Sequence, residues 1–251
     1  MERTKTSIPF VGLHAHSVAG SVFDGFGYPQ DHMDFAYENG MSALALTDHG
    51  NMNGMSYQVL HAKKMKKQGK DFKPIFGVEA YFVASIEDWK AEYDRVKEDK
   101  KQARKVINDT DKVETEDEGA SKSKSNKINS SGHLVLVAMN QTGLNNIFKI
   151  VSDSHQGDNF YRKPRLDYSV LKEHGEGIIA SSACLGGVYA KDYWNNRENG
   201  EEAVLEAMRE TTRRMIECLG DRWYGELQWS ATPEQHKLNQ YIIKMHEEFG
   251  I

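Results

Sequence analysis

The chain has only two cysteines, Cys184 and Cys218, and no apolar run of the length a membrane-crossing helix needs. It also opens without the short apolar stretch of a secretory signal. A disulfide framework is therefore not expected, and a reducing cytosol is the compartment this cysteine usage suits. Positive charge is not in excess: the formal net charge over 251 residues is -5, so no bulk basic field draws the chain to nucleic acid. Contact with a polyanion would have to rest on local groups or on metal ions. Proline is scarce, at five residues, and two of these, Pro29 and Pro233, stand where helices begin.

What is present is an alternation of apolar strands and amphipathic helices. Phe10 to Ser17 reads as a strand ending in His14-Ala15-His16, where residues two apart face the same side. Gly20 to Pro29 is a loop containing Asp24, and a helix follows to Gly40. Met41 to Thr47 is a second strand closed by Asp48-His49-Gly50, and Lys73 to Val83 a third strand carrying Glu79. From Ser85 an amphipathic helix runs into a charged stretch, and residues 97–131 read as a solvated, largely disordered insertion. His133 opens a fourth strand, Gly177 to Ser182 forms a fifth before Cys184, and Trp223 to Gln228 a sixth. Tyr161 to Arg165 reads as a basic loop, and Asp167 caps a short helix. His32, His61, His155, His174, His236 and His246 fall on helices or loops and read as surface residues.

Six strand–helix units imply an α/β fold with a parallel sheet, at this length a closed or nearly closed β/α barrel. The chain stops where a further strand is expected. Such a barrel gathers polar side chains at the C-terminal ends of its strands, which is where His14, His16, Asp24, His49, Glu79 and Cys184 fall. His133 starts its strand instead, and needs a bend to join them. Mixed nitrogen, oxygen and sulfur donors suit Zn²⁺, Mn²⁺ or Fe²⁺ over Mg²⁺ or Ca²⁺. Seven donors exceed one tetrahedral ion, so a cluster is expected, and phosphoester hydrolysis is the chemistry such clusters perform. Asp48 reads as a partner that orients the His49 ring, and Arg162, Lys163 and Arg165 as groups able to hold a phosphodiester.

Phe10 to Ser17, Leu44 to Met52, Pro74 to Tyr81, His133 to Ala138, Tyr161 to Asp167 and Gly177 to Leu185 together resemble the N-terminal PHP (polymerase and histidinol phosphatase) domain of bacterial replicative DNA polymerase III alpha subunits. The resemblance covers nearly the whole chain apart from the charged insertion. It implies a distorted seven-stranded β/α barrel, here a single PHP domain over 1–251 lacking its last strand, with room for up to three metal ions. The implied ligands are His14, His16, Asp24, His49, Glu79, His133 and Cys184, with Arg165 a phosphate contact, and the resemblance also brings His133 to the cluster. It implies 3′ to 5′ exonuclease chemistry on DNA, with the remaining polymerase segment, in cis or in trans, and a proofreading or clamp subunit as partners. Polymerase carboxylates are absent, so no DNA synthesis is expected of this chain alone. Two other readings stay open: a catalytically silent brace for the polymerase, and a small-molecule phosphatase.

Overall fold

The computed structural model describes residues 10–109 and 131–251. Its elements run α1 (Pro29–Glu38), β1 (Ala43–Leu46), α2 (Met55–Lys67), β2 (Lys73–Phe82), α3 (Ile86–Asp109), β3 (Gly132–Ala138) and α4 (Gln141–Ser154). They continue as β4 (Phe160–Tyr161), β5 (Lys163–Leu166), α5 (Tyr168–His174), β6 (Ile178–Ser181), α6 (Val188–Asn196), α7 (Glu201–Leu219), β7 (Trp223–Tyr224) and α8 (Pro233–Phe249). The strands form one sheet in the order β4-β5-β2-β3-β6-β7, with β1 beside the first half of β2. This is a mixed α/β fold of the distorted-barrel type.

Alternation along the strands explains the layers. Val78, Ala80 and Phe82 of β2, Leu134 and Leu136 of β3, and Ile178 and Ala180 of β6 turn to one face. There they form the main core with Ile147 and Ile150 of α4, Leu171 of α5, and Val204, Met208 and Met215 of α7. The intervening residues turn to the opposite, inner face, where Val135, Val137 and Ala183 make a small plug and Glu79 and His133 stand above it.

Four expectations are corrected. The sheet is not all parallel: β3 runs antiparallel to both β2 and β6. The first expected strand is irregular: it joins the sheet through a bridge from Gly12 to Leu44, with Ala45 N–H donating to the Gly12 carbonyl and Thr47 N–H to that of Ala15. The sixth strand is regular only over Trp223–Tyr224. Of the expected disordered insertion, residues 97–109 are helical, as the C-terminal half of α3, and 110–130 lie outside the described residues. Asp167 does cap α5, accepting from Ser169 N–H at 3.0 Å and Val170 N–H at 3.3 Å.

Candidate metal centre

Reversal of β3 brings the site together. The chain at 12–16, β1, β2, β6 and β7 all point toward one mouth, so their C-terminal ends meet there. An antiparallel strand presents its beginning at that mouth, so His133, second residue of β3, arrives without any bend. Its N–H donates to the Gly186 carbonyl at 2.8 Å, tying it to the loop that carries Cys184. On the other flank, His49 extends the β1 line and bridges to Glu79.

Glu79 is the centre of the arrangement and has no solvent exposure. His14 Nε2 lies 3.3 Å and His133 Nδ1 3.0 Å from its Oε1, while His16 Nε2 lies 3.2 Å and His49 Nδ1 2.8 Å from its Oε2. Cys184 Sγ is 3.8 Å from Oε1 and 3.6 Å from His133 Nδ1. Asp24 reaches His49 Nε2 at 2.7 Å. All seven expected donors thus converge. Two subsets have ligating atoms within 4.8 Å of one another, His14-His16-Glu79 and His49-Glu79-His133, and they share the carboxylate.

Electrostatics follow from that crowding. Burial alone would push the Glu79 carboxyl up, yet His133, His14, His16 and His49 hold it far below the usual carboxylate range. Burial pulls the His14 imidazole down, but hydrogen bonds to Glu226 and Glu79 raise it to about 10. The Cys184 thiol is pushed up to about 11, first by burial and then by the Glu79 charge, so at neutral pH its ionisation requires a cation. His49 Nδ1 and Glu79 Oε2, though 2.8 Å apart, are not aligned for a hydrogen bond, and both are buried without a hydrogen-bond partner among the described residues. Buried polar atoms left in this state carry a desolvation penalty that a shared cation removes. The donor set therefore fits divalent metal.

The two candidate catalytic residues, Asp48 and Arg165, have the following surroundings. The Asp48 carboxylate does not hydrogen-bond the His49 ring. It accepts from Ser17 N–H at 2.7 Å, Ser17 Oγ at 2.9 Å and Ser21 Oγ at 2.9 Å, fastening the loop between His16 and Asp24. Ser21 Oγ in turn accepts from His49 N–H at 3.0 Å, so Asp48 orders the histidines through backbone and hydroxyls. Arg165 is 1 % exposed. Its Nη1 donates to the Tyr161 and Lys163 carbonyls at 2.8 and 2.9 Å, and its guanidinium lies 4.2 Å from the Trp89 ring centre. That supports the hairpin turn at Arg162, whose φ is +60°. Lys163 leans over Tyr81 at 4.4 Å, and Tyr81 packs against both His49 and His133.

Glu226 was not anticipated. Just beyond β7, its Oε1 lies 2.7 Å from His14 Nδ1, its Oε2 accepts from Ser181 Oγ at 2.6 Å, and Gln228 Nε2 donates to Oε1 at 2.8 Å. A carboxylate on the far nitrogen fixes which nitrogen of His14 faces Glu79. The sequence signal was an acid at the end of a strand, the same signal that identified Glu79.

The PHP domain family model matches residues 12–230. The chain is 32 % identical over 242 residues to the DNA polymerase III subunit alpha of Aquifex aeolicus, covering 96 % of this chain and 17 % of that protein. It is 30 % identical over 243 residues to the corresponding subunit of Borreliella burgdorferi, again covering 96 % and 17 %, and 30 % over 250 residues to that of Thermus aquaticus, covering 98 % and 17 %. The chain thus spans about 17 % of the length of these relatives. A solved protein of Bifidobacterium adolescentis superposes on 96 % of this chain and 84 % of its own with a TM-score of 0.48 at 12 % identity, too distant to bear on the site. On the family match over residues 12–230, the chain belongs to the PHP domain family.

Proposed function

We propose that this PHP domain is a metal-dependent phosphoesterase that removes nucleotides from DNA 3′ ends as part of a DNA polymerase III alpha-type polypeptide. The observation that carries the proposal is the single buried carboxylate of Glu79 facing four imidazoles. One ion would be held by His14, His16 and Glu79 and a second by His49, Glu79 and His133, with Asp24 and Cys184 completing the set. Nitrogen and sulfur donors favour Zn²⁺, Mn²⁺ or Fe²⁺. Such ions, when bound, supply positive charge against a phosphoryl group and acidify water enough for attack at neutral pH. The protein's part is to hold the imidazoles: Glu226 orients His14, Asp48 fastens the His16 loop through Ser17 and Ser21, and Lys163 offers a positive charge beside Tyr81.

Polymerisation is not part of the proposal, because the chain corresponds to about 17 % of those subunits. The same proposal places it in the cytoplasm beside DNA, with the remaining polymerase segment and a proofreading or clamp subunit as partners. Among the described residues no helix is long and apolar enough to cross a membrane. The test is release of nucleotides from a 3′-labelled DNA strand by Mn²⁺- or Zn²⁺-loaded protein, abolished by chelation and by Glu79→Gln. Tight metal binding without hydrolysis of the strand or of an aryl phosphate would overturn it in favour of the silent brace.

A further inference from the structure

Around the mouth of the centre, three large aromatic side chains stand in water: Phe23 at 104 %, Phe26 at 89 % and Trp229 at 105 % exposure. Isolated apolar residues on a surface need no explanation, but each of these adjoins, in chain or by a backbone hydrogen bond, a residue of the centre. Phe23 precedes Asp24, whose carboxylate touches His49. Phe26 N–H donates to the His16 carbonyl. Trp229 follows Gln228, whose amide reaches toward His14 Nδ1 at 3.4 Å. Each ring therefore stands one or two residues from a group touching the centre. Positive charge comes from Lys163, over Tyr81, and from Arg162 at the tip of the β4–β5 hairpin.

Resting on the phosphoesterase reading, we infer that the substrate enters as a single strand whose unstacked bases lie on Phe23, Phe26 and Trp229 while Lys163 meets a phosphate. Exposed aromatic faces interleaved with cations are the arrangement that holds single-stranded nucleic acid without reading its sequence. A duplex cannot use them, because its base faces are covered by neighbouring bases. With a net charge of -5 the chain lacks a broad electrostatic attraction for DNA, so base stacking has to carry much of the affinity.

The experiment is anisotropy of the Mn²⁺-loaded 251-residue chain with labelled phosphorothioate strands, which resist hydrolysis, at fixed salt. Three probes are compared: a single strand, the same strand with abasic positions, and a duplex. The single strand is expected to bind about tenfold more tightly than either of the others. Trp229→Ala and Phe23→Ala each weaken single-strand binding about tenfold and leave abasic binding unchanged. Lys163→Met weakens both. Binding quenches tryptophan emission, and most of that quench is lost in Trp229→Ala, since Trp89 and Trp223 are buried and Trp194 is partly buried in α6. Equal affinity for the abasic strand, or unaltered binding by the aromatic variants, overturns the inference and assigns the rim to protein contact. Hydrolysis of an aryl phosphodiester by the wild-type chain is measured alongside. Hydrolysis with base-independent binding sinks the stacking rim alone, whereas base-dependent binding without hydrolysis supports the rim and sinks the phosphoesterase reading.

Discussion

Glu79→Gln changes one oxygen for an amide at the point where both donor subsets meet. Shape is kept, since the residue is fully buried in β2 between Val78 and Ala80, but the charge shared by four imidazoles is lost. An amide oxygen is a weaker ligand than a carboxylate, and its NH₂ points a donor at imidazoles that must present lone pairs to metal. Loss of a ligand should exceed the 10–100-fold typical of losing an outer partner, so metal affinity falls by about 100-fold or more. At free metal about 100 times the wild-type dissociation constant, binding stabilises the wild type by about 2.7 kcal/mol. The variant gains only about 0.4 kcal/mol from the same concentration. For a chain of this size each kcal/mol is worth about 2–4 °C in Tm. Added metal therefore raises the wild-type Tm by roughly 5–11 °C and that of the variant by about 1–2 °C. Thermal melts with and without metal, paired with elemental analysis after dialysis, read both quantities. Equal metal-induced shifts and equal metal content in the two proteins would refute the shared-carboxylate reasoning.

Asp48→Asn keeps the shape but weakens the acceptors for Ser17 and Ser21. It should cost about 1.5–3 kcal/mol in denaturant unfolding and lower metal affinity about tenfold or more, although Asp48 touches no imidazole. Cys184→Ser should lower affinity for Zn²⁺ more than for Mn²⁺ in competition titrations, because a thiolate is the soft donor of the set. Burial raises the Asp192 carboxyl to about 7, and its Oδ2 has no hydrogen-bond partner among the described residues. The folded chain thus holds this proton more tightly than the unfolded chain. Its contribution to stability is complete below the ordinary aspartate value of 3.8 and is lost as pH rises through about 7. Stability should fall by about 2–4 kcal/mol over that window in the wild type. Asp192→Asn should flatten the profile, as read by urea melts across pH. Gly143→Ala would set a Cβ 1.8 Å from the Gly177 carbonyl oxygen, so about 3 kcal/mol or more of stability should be lost while metal stoichiometry stays the same.

The seven side chains expected at the centre could be singled out from local pattern, because each ends or begins an apolar stretch or follows it, and a buried acid such as Glu79 has few inexpensive explanations. Strand direction could not. An apolar run has the same alternation whichever way it lies in a sheet, so nothing within Gly132 to Ala138 showed that β3 is reversed, and His133 looked misplaced. The first strand looked regular in sequence, yet at Gly12 a Cβ would fall 2.8 Å from the Leu44 side chain, an approach that periodicity does not register. Arg165 in a basic run suggested an exposed phosphate contact. Its burial against Trp89 depends on α3 packing over β5, which is a tertiary fact. The Asp48 bonds to Ser17 and Ser21 were not legible, since those serines carry no chemical signature of their own.

Anomalous diffraction from crystals of the chain grown with Mn²⁺ or Zn²⁺ addresses the shared-carboxylate centre most directly. Two peaks on either side of the Glu79 carboxylate are predicted, one facing His14 and His16 and the other facing His49 and His133. A site empty at saturating metal, or peaks only at surface carboxylates away from Glu79, would contradict it.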